Sequence, residues 1–233
     1  MKVFEVALPG ARALFSTRQG GVSEPPYDTL NLGILTDDAP DRVVENRRRL
    51  AKRVGAERVA MGWQVHGAEL KRWERGEASR FLDPGADLVK VDGHLTHEPD
   101  LALLVLVADC LPVALAGGGR VGMLHCGWRG LAAGIVQRAV ERFGERPAAA
   151  IGPGIGCCCY EVGPEVLEAF DDDLADGRML DLRGVAVREL ERAGVKRVEH
   201  VDLCTSCHPE LFFSHRRDGG VTGRQAGVVL RSA

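Results

Sequence analysis

The sequence predicts a mixed α+β fold, with a mixed β-sheet covered by helices in one compact domain spanning residues 1–233. Three observations point there. Short strand-like runs are joined by tight Gly turns, strand-helix-strand passages occur in the same chain, and no internal repeat or low-complexity linker divides it. Crossover helices bring parallel strands and hairpins bring antiparallel ones, so a purely parallel sheet is not expected.

Taken in order, Phe4 to Phe15 reads as two short strands joined at Pro9-Gly10. The loop from Gln19 to Asn31 is rich in turn formers and long for a plain connection, which favours a functional role. Asp37 or Asp38 is expected to cap a helix through Val43, Arg47, Leu50 and Val54 that stops at Gly55. Its Arg47-Arg48-Arg49 run reads as a solvated face. Strand-like pieces follow at Arg58 to Trp63, Glu69 to Trp73, Leu88 to Val91, Leu101 to Val107, Val113 to Ala116 and Val121 to His125. Gly117-Gly118-Gly119 joins the last two as a hairpin turn. Leu131, Ile135, Ala139 and Phe143 form one apolar stripe, so a single helix is expected from Trp128 to Phe143, ended by Gly144. A strand at Ala148 to Ile151, helices around Pro164 to Phe170 and Asp181 to Ala193, and strands near Val198 to Asp202, Leu211 to Ser214 and Ala226 to Leu230 complete the chain.

The formal net charge of −3 leaves no basic excess to neutralise phosphates, so nucleic acid and membrane surfaces are poor partners. The N-terminus meets Glu5 and Pro9-Gly10 before an apolar run of secretory length can form, and no signal peptide is expected. The longest apolar run, Leu101 to Val107, falls far short of the roughly 18 residues that a membrane helix needs. Seven cysteines, an odd number without an export signal, read as reduced thiols. These observations point to the cytoplasm; the oligomeric state is not legible.

Three stretches each place a metal-competent side chain at the end of an expected strand: Gln64-Val65-His66-Gly67, Ala108-Asp109-Cys110-Leu111-Pro112 and His125-Cys126-Gly127-Trp128-Arg129-Gly130. Strand ends at one sheet edge converge, and His, Cys and His suit Zn²⁺ with a fourth position left open for water or substrate. Spacing permits this site without establishing it. A lone His at a strand end is more often a satisfied polar residue, and a lone Cys a small buried hydrophobe.

Together and in order, these stretches resemble the bacterial laccase-domain (YfiH-type) family, also called the multicopper polyphenol oxidase or purine nucleoside phosphorylase family. The resemblance covers nearly the whole chain. It also takes in Thr17-Arg18-Gln19-Gly20-Gly21-Val22-Ser23, Leu30-Asn31-Leu32-Gly33, Asn46-Arg47, Ile151-Gly152-Pro153, Cys159-Tyr160-Glu161-Val162-Gly163, Cys204-Thr205-Ser206-Cys207, Phe212-Phe213-Ser214, Arg216-Arg217 and Thr222-Gly223-Arg224. It implies a YfiH-like fold and a metal and catalytic site formed by His66, Cys110 and His125. Two departures stand out: Cys126, where the family usually has Ala, and Cys157, which replaces a common Pro. A thiol beside His125 opens the question of alternative coordination or oxidation.

Arg129, on the first turn of the expected helix, is a candidate to hold an anion such as phosphate, a structural ion pair being the alternative. Arg18 and Asn31 are candidate substrate-binding residues because their loops would have to fold over the sheet edge. Asp109 is expected to point away from the site if its backbone is extended, in a structural or ligand-supporting role. Cys204 and Cys207 form a Cys-x-x-Cys with His208 behind it, but with no second pair they read as buried packing. The run Ile151 to Gly156 lacks the spacing and the Lys-Ser/Thr of a phosphate loop and reads as a tight turn.

The resemblance implies a zinc-dependent purine nucleoside enzyme, carrying out phosphorolysis of adenosine, inosine, guanosine and methylthioadenosine and deamination of adenosine. Copper is the alternative metal, in a polyphenol oxidase. Seven histidines without a His-x-His pair argue against a full laccase. A third reading makes Cys110 the nucleophile of a hydrolase or amidase editing cell-wall peptide precursors. A protein merely held together by zinc would normally close the site with four ligands.

Overall fold

The structure, a computed structural model, describes residues 1–79, 81–83 and 87–232. The chain begins with a hairpin of β1 (Val3–Leu8) and β2 (Ala11–Ser16) turning at Pro9-Gly10, as the sequence predicts. Helix α1 (Pro40–Val54) follows the long loop. Pro40 starts it with its fixed φ after Ala39, and Gly55 ends it in the left-handed region at φ 70°. Neither Asp37 nor Asp38 is the capping residue. Asp38 is turned inward, where its carboxylate accepts from Ser23 Oγ at 2.6 Å and from Asn31 Nδ2 at 3.0 Å.

The three arginines of α1 do not share one fate. Arg48 and Arg49 are exposed, but Arg47 is 1% exposed and donates to the carbonyls of Leu32 and Phe81. The expectation of a solvated face fails at Arg47 because it falls on the same helical stripe as Val43, Leu50 and Val54.

The remaining strands are β3 (Arg58–Ala60), β4 (Leu70–Trp73), β5 (Gly93–Thr96), β6 (Leu101–Val107), β7 (Leu111–Gly117), β8 (Arg120–Cys126), β9 (Ala148–Ile151), the short pair β10 (Ala175–Asp176) and β11 (Met179–Leu180), β12 (Val198–His200) and β13 (Gln225–Arg231). Helices α2 (Trp128–Ala132), α3 (Ile135–Glu141), α4 (Pro164–Leu167) and α5 (Leu182–Arg192) lie between them. The expected helix from Trp128 to Phe143 is thus two. Gly134 adopts φ 78°, outside the helical range, and breaks the run while both halves stay packed on the same core. No strand forms at Leu211 to Ser214. Its backbone is instead gripped by the Gln225 side-chain amide, which accepts from Phe213 N and donates to Phe213 O. Leu88 to Val91 reduces to one bridge, Trp63 to Lys90.

Besides the small two-stranded sheet β10-β11, the expected single mixed sheet is two, of five strands (β1-β2-β13-β6-β3) and six strands (β12-β9-β7-β8-β5-β4). Each mixes antiparallel pairs with parallel ones, β3 with β6 in the first and β4 with β5 and β9 with β12 in the second. The sheets stack: Leu101, Leu103, Val105 and Val107 of β6 meet Ala114, Val121 and Met123 of the second sheet. Alternate residues Ala102 and Leu104 face Leu50 and Val54 of α1. A strand buried on both faces reads as a continuous apolar run, which explains the seven residues of β6. On the far side of the second sheet, Leu111, Val113, Leu124 and Cys126 pack under Leu131, Ile135, Ala139 and Leu190 of the helices. Among the described residues no helix is long and apolar enough to cross a membrane.

Candidate metal and active site

The short turn Ala108-Asp109-Cys110 carries the chain from β6 in one sheet to β7 in the other, and so sits where the two sheets meet. Asp109 adopts φ 89°, which side-chain-bearing residues rarely do, so the expected extended backbone is absent. Its carboxylate fixes this bend, accepting from Thr205 Oγ1 at 2.6 Å and from Arg216 N at 2.7 Å. Its role is structural, and it directs the next side chain, Cys110, into a cavity.

His125 is supplied by β8, paired with Pro112 across the β7–β8 ladder. His66 lies in the loop after β3 at φ 60°, a second unusual non-glycine conformation. Two groups hold that loop. The Gln64 side-chain amide pairs with Leu106, donating to its O at 2.7 Å and accepting from its N at 2.8 Å. The fully buried Asp92 accepts three successive backbone N–H groups, from Val65, His66 and Gly67, at 2.8 to 3.0 Å.

Asp92 also bonds His125. Its Oδ1 lies 2.7 Å from Nδ1, which leaves Nε2 as the nitrogen facing Cys110. The ligand atoms of His66, Cys110 and His125 all lie within 4.8 Å of one another, with the two imidazole rings edge-on. Gly127 makes this approach possible, since a Cβ there would stand 2.9 Å from Cys110 Sγ.

The electrostatics follow from the geometry. Burial raises the Cys110 thiol, but the His125 charge and hydrogen bonds from both imidazoles outweigh it and bring the thiol to about 6. Burial lowers His125, but the Cys110 charge and the Asp92 carboxylate outweigh it and raise the imidazole to about 9. Burial raises Asp92 too, and its bonds to His125 and the Gly67 and Val65 backbone bring it below the usual carboxylate range. The protein has thus built a site for positive charge between a thiolate and two imidazoles. That donor set, with Asp92 fixing the tautomer of one ligand, fits zinc.

Cys126 takes no part. It is 0% exposed on the helix-facing side of β8, and burial pushes its thiol up, so it is a protonated core residue. The departure from the family's alanine therefore leaves the ligand set alone.

The three residues line a cavity of about 450 Å³, a size suited to a small organic ligand. Met61, Trp63 and Leu106 form apolar wall, while Tyr160, Arg129 and Arg216 add polar groups. Arg129 lies over the Trp128 ring at 4.4 Å and makes no ion pair among the described residues, so the structural alternative for it is not what the fold uses. Because α2 has only five residues, the case for anion binding rests on the guanidinium and not on a helix terminus. Arg18 and Asn31 lie outside the cavity lining. Arg18 is committed to Asp28 and to the Pro209 carbonyl. Asn31 is 0% exposed and bonds Thr36, Asp38, Gly33 and Arg224. Both order the loops around the site, and substrate contact from them finds no support in this geometry.

Residues 12–232 match the family described as Multi-copper polyphenol oxidoreductase laccase. The chain belongs to this YfiH-type laccase-domain family. It is 39% identical to Purine nucleoside phosphorylase YfiH of Escherichia coli, over 94% of this chain and 93% of the relative. It is 36% identical to Purine nucleoside phosphorylase YlmD of Geobacillus stearothermophilus, over 95% and 90%. The crystal structure of the latter superposes with a TM-score of 0.89 at 35% identity, covering 96% of this chain and 93% of that one. The Bacillus licheniformis protein YfiH superposes with 0.88 at 32% identity, covering 95% and 93%. The resemblance seen in the motifs thus holds over nearly the whole chain, and these relatives carry the name purine nucleoside phosphorylase.

Two features of the YfiH-type site escape sequence reading. Asp92 stands in no recognisable motif; only its position directly before β5 hints at a role. Arg216 and Tyr160 sit in quoted stretches, but nothing in their spacing says that they face one cavity. Cys204 and Cys207 correct the packing expectation in part. Cys204 is half-buried and packs against the helix-covered core as expected, but Cys207 is exposed, and both sulfurs meet those of Cys158 and Cys159.

Proposed function

We propose that residues 1–233 form one domain acting as a zinc-dependent purine nucleoside phosphorylase and adenosine deaminase. The single observation that carries this reading is the convergence of His66, Cys110 and His125, within 4.8 Å, on a cavity that also holds an unpaired-with-acid guanidinium, Arg129. When bound, zinc supplies Lewis acidity that makes water a usable nucleophile near neutral pH.

The chain's own residues do the rest. Asp92 orients His125 and keeps its Nδ1 proton pinned, so Nε2 is free to act as a donor atom toward the site. Apolar wall from Met61, Trp63 and Leu106 takes the purine and excludes water. Arg129 and Arg216 provide charge for phosphate. In phosphorolysis a phosphate oxygen bonds the ribose anomeric carbon as the bond to the base breaks, and the base leaves with the electron pair and gains a proton. In deamination water adds to the purine carbon bearing the amino group and ammonia departs. Burial and then the nearby Cys110 charge push the Tyr160 phenol up to about 12, so it remains a hydrogen-bond donor to either substrate.

A second reading is supported by one observation. With Cys110 brought to about 6 beside His125, itself bonded to Asp92 at 2.7 Å, the site has the layout of a Cys-His-Asp nucleophile. That reading suits an amidase acting on cell-wall peptide precursors and needs no metal. Polyphenol oxidation with copper is favoured less, because among the described residues no other group with histidine could hold a second copper. Seven free cysteines suit a reducing compartment such as the cytoplasm.

The test is metal analysis coupled to nucleoside turnover with and without phosphate. Base release that requires phosphate, ammonia release from adenosine, and loss of both with zinc in His66→Ala are expected. Phosphorolysis that survives loss of zinc in His66→Ala refutes the shared site. Turnover that is full in metal-free protein and is lost when an electrophile traps Cys110 moves the assignment to the cysteine hydrolase. A copper-loaded sample with blue absorption and rapid dioxygen use moves it to the oxidase.

A further inference from the structure

A second group of soft ligands lies outside the cavity lining, on two loops that leave the same end of neighbouring parallel strands. After β9 the chain makes a tight turn in which Cys159 N and Tyr160 N both donate to Gly156 O, at 2.9 and 3.1 Å. This turn carries Cys158 and Cys159. After β12 the chain reaches Cys204-Thr205-Ser206-Cys207. The two loops are stitched together by Thr205 N donating to Gly154 O at 2.9 Å and Gly156 N donating to Cys204 Sγ at 3.2 Å.

The four sulfur atoms all lie within 4.8 Å of one another. Cys207 Sγ stands 3.5 Å from Cys158 Sγ and 3.4 Å from Cys159 Sγ. A tetrahedral zinc with sulfur ligands at 2.3 Å has sulfur-sulfur edges of about 3.8 Å, so the four sulfurs need only small rotations to enclose it. Cys204 faces backbone N–H groups of Gly156, Cys207 and Ser206. Backbone donors to a ligand sulfur are outer contacts of the kind that orient a side chain toward a metal. The Arg217 guanidinium donates to the Thr205 and Ser206 carbonyls and holds the knuckle from behind. A pair of disulfides is a poorer account, because the Cys207 sulfur approaches two partners about equally.

We propose that Cys158, Cys159, Cys204 and Cys207 form a second cation site, a closed four-thiolate centre for zinc that is structural and separate from the one at His66, Cys110 and His125. Four protein ligands leave no open position, which distinguishes its role from the first site's. Its consequence for the first site is mechanical. The clamped loops carry Ile155 and Tyr160 of the cavity wall and Thr205, whose hydroxyl holds Asp109 beside Cys110.

Zinc per chain, counted by native mass spectrometry on protein purified under reducing conditions, tests this. The expected result is that His66→Ala keeps one zinc while Cys158→Ser/Cys207→Ser, changed at exposed positions that the core does not need, loses one equivalent relative to the unaltered chain. Cobalt loaded into His66→Ala should give the intense visible bands of a tetrahedral four-thiolate centre, and the double serine variant should lack them. Protection of these four thiols from alkylation by zinc in the unaltered chain supports the site without depending on any variant. The inference is overturned if all four thiols alkylate at the free-cysteine rate with zinc present, if any two are joined in a disulfide, or if His66→Ala binds no metal. Retention of one zinc in both His66→Ala and the unaltered chain would leave the four-thiolate site standing and count against the first site.

Discussion

Replacing Asp92 with asparagine changes one oxygen to an NH₂ group at a carboxylate that accepts four hydrogen bonds. The amide oxygen can take the Oδ2 position and keep the bonds from Val65 N and Gly67 N. The NH₂ then faces His66 N, itself a donor, and His125 Nδ1. A buried donor left without an acceptor costs about 1–3 kcal/mol, so the variant should lose that much unfolding free energy in urea denaturation. The effect on the site is separate. His125 Nδ1 must become an acceptor, which moves its proton to Nε2, the nitrogen facing Cys110, and blocks it as a ligand. Loss of such a supporting carboxylate typically weakens metal affinity or activity by about 10–100-fold, equivalent to about 1.4–2.7 kcal/mol. Zinc competition against a chromophoric chelator and kcat/KM for phosphorolysis are the two assays, with circular dichroism to check folding. A folded Asp92→Asn protein with zinc affinity and kcat/KM both within about threefold of the unaltered chain would refute the role given to this tautomer.

Arg129→Ala should raise KM for phosphate by about 10-fold or more while leaving deamination, which uses no phosphate, nearly intact, since a hydrogen bond to a charged group is worth about 1.5–3 kcal/mol. Equal losses in both reactions would instead mean that Arg129 supports the fold of the site. His94 provides a pH prediction. It is 0% exposed, burial lowers its imidazole to about 4, and its Nδ1 accepts from Trp73 Nε1 at 3.1 Å, which requires the neutral ring. A lowered folded value means that the contribution is fully present above about 6.5 and is lost as pH falls through about 4. The loss is about 3 kcal/mol at most, and urea unfolding from pH 7 to pH 4 should show a steeper fall in the unaltered chain than in His94→Gln. Parallel curves would contradict it.

Much of the architecture was legible because it is local. The stripe Val43, Leu50, Val54 with Gly55 behind it specifies α1, and Pro9-Gly10 and Gly117-Gly118-Gly119 specify hairpins, through periodicity and turn chemistry that act within a few residues. His66, Cys110 and His125 were legible for another reason: each ends a strand-like run beside a turn, and their motifs, in order, match a family.

Tertiary structure decided what distant residues do to one another. An apolar run such as Leu101 to Val107 announces a strand buried on both faces, but whether a second sheet or a helix covers each face depends on partners far along the chain. Arg47 looked like solvated charge until the carbonyls of Leu32 and Phe81 closed around it. Asp92 carries no motif, because its work is done by its distance from His66 and His125. Cys204 and Cys207 lacked a second pair in sequence, and the neighbouring parallel strands β9 and β12 supply it by bringing Cys158 and Cys159 alongside. Side-chain chemistry is written residue by residue, whereas hydrogen bonding and ligation need atoms within a few ångströms, a condition that only the folded chain can meet.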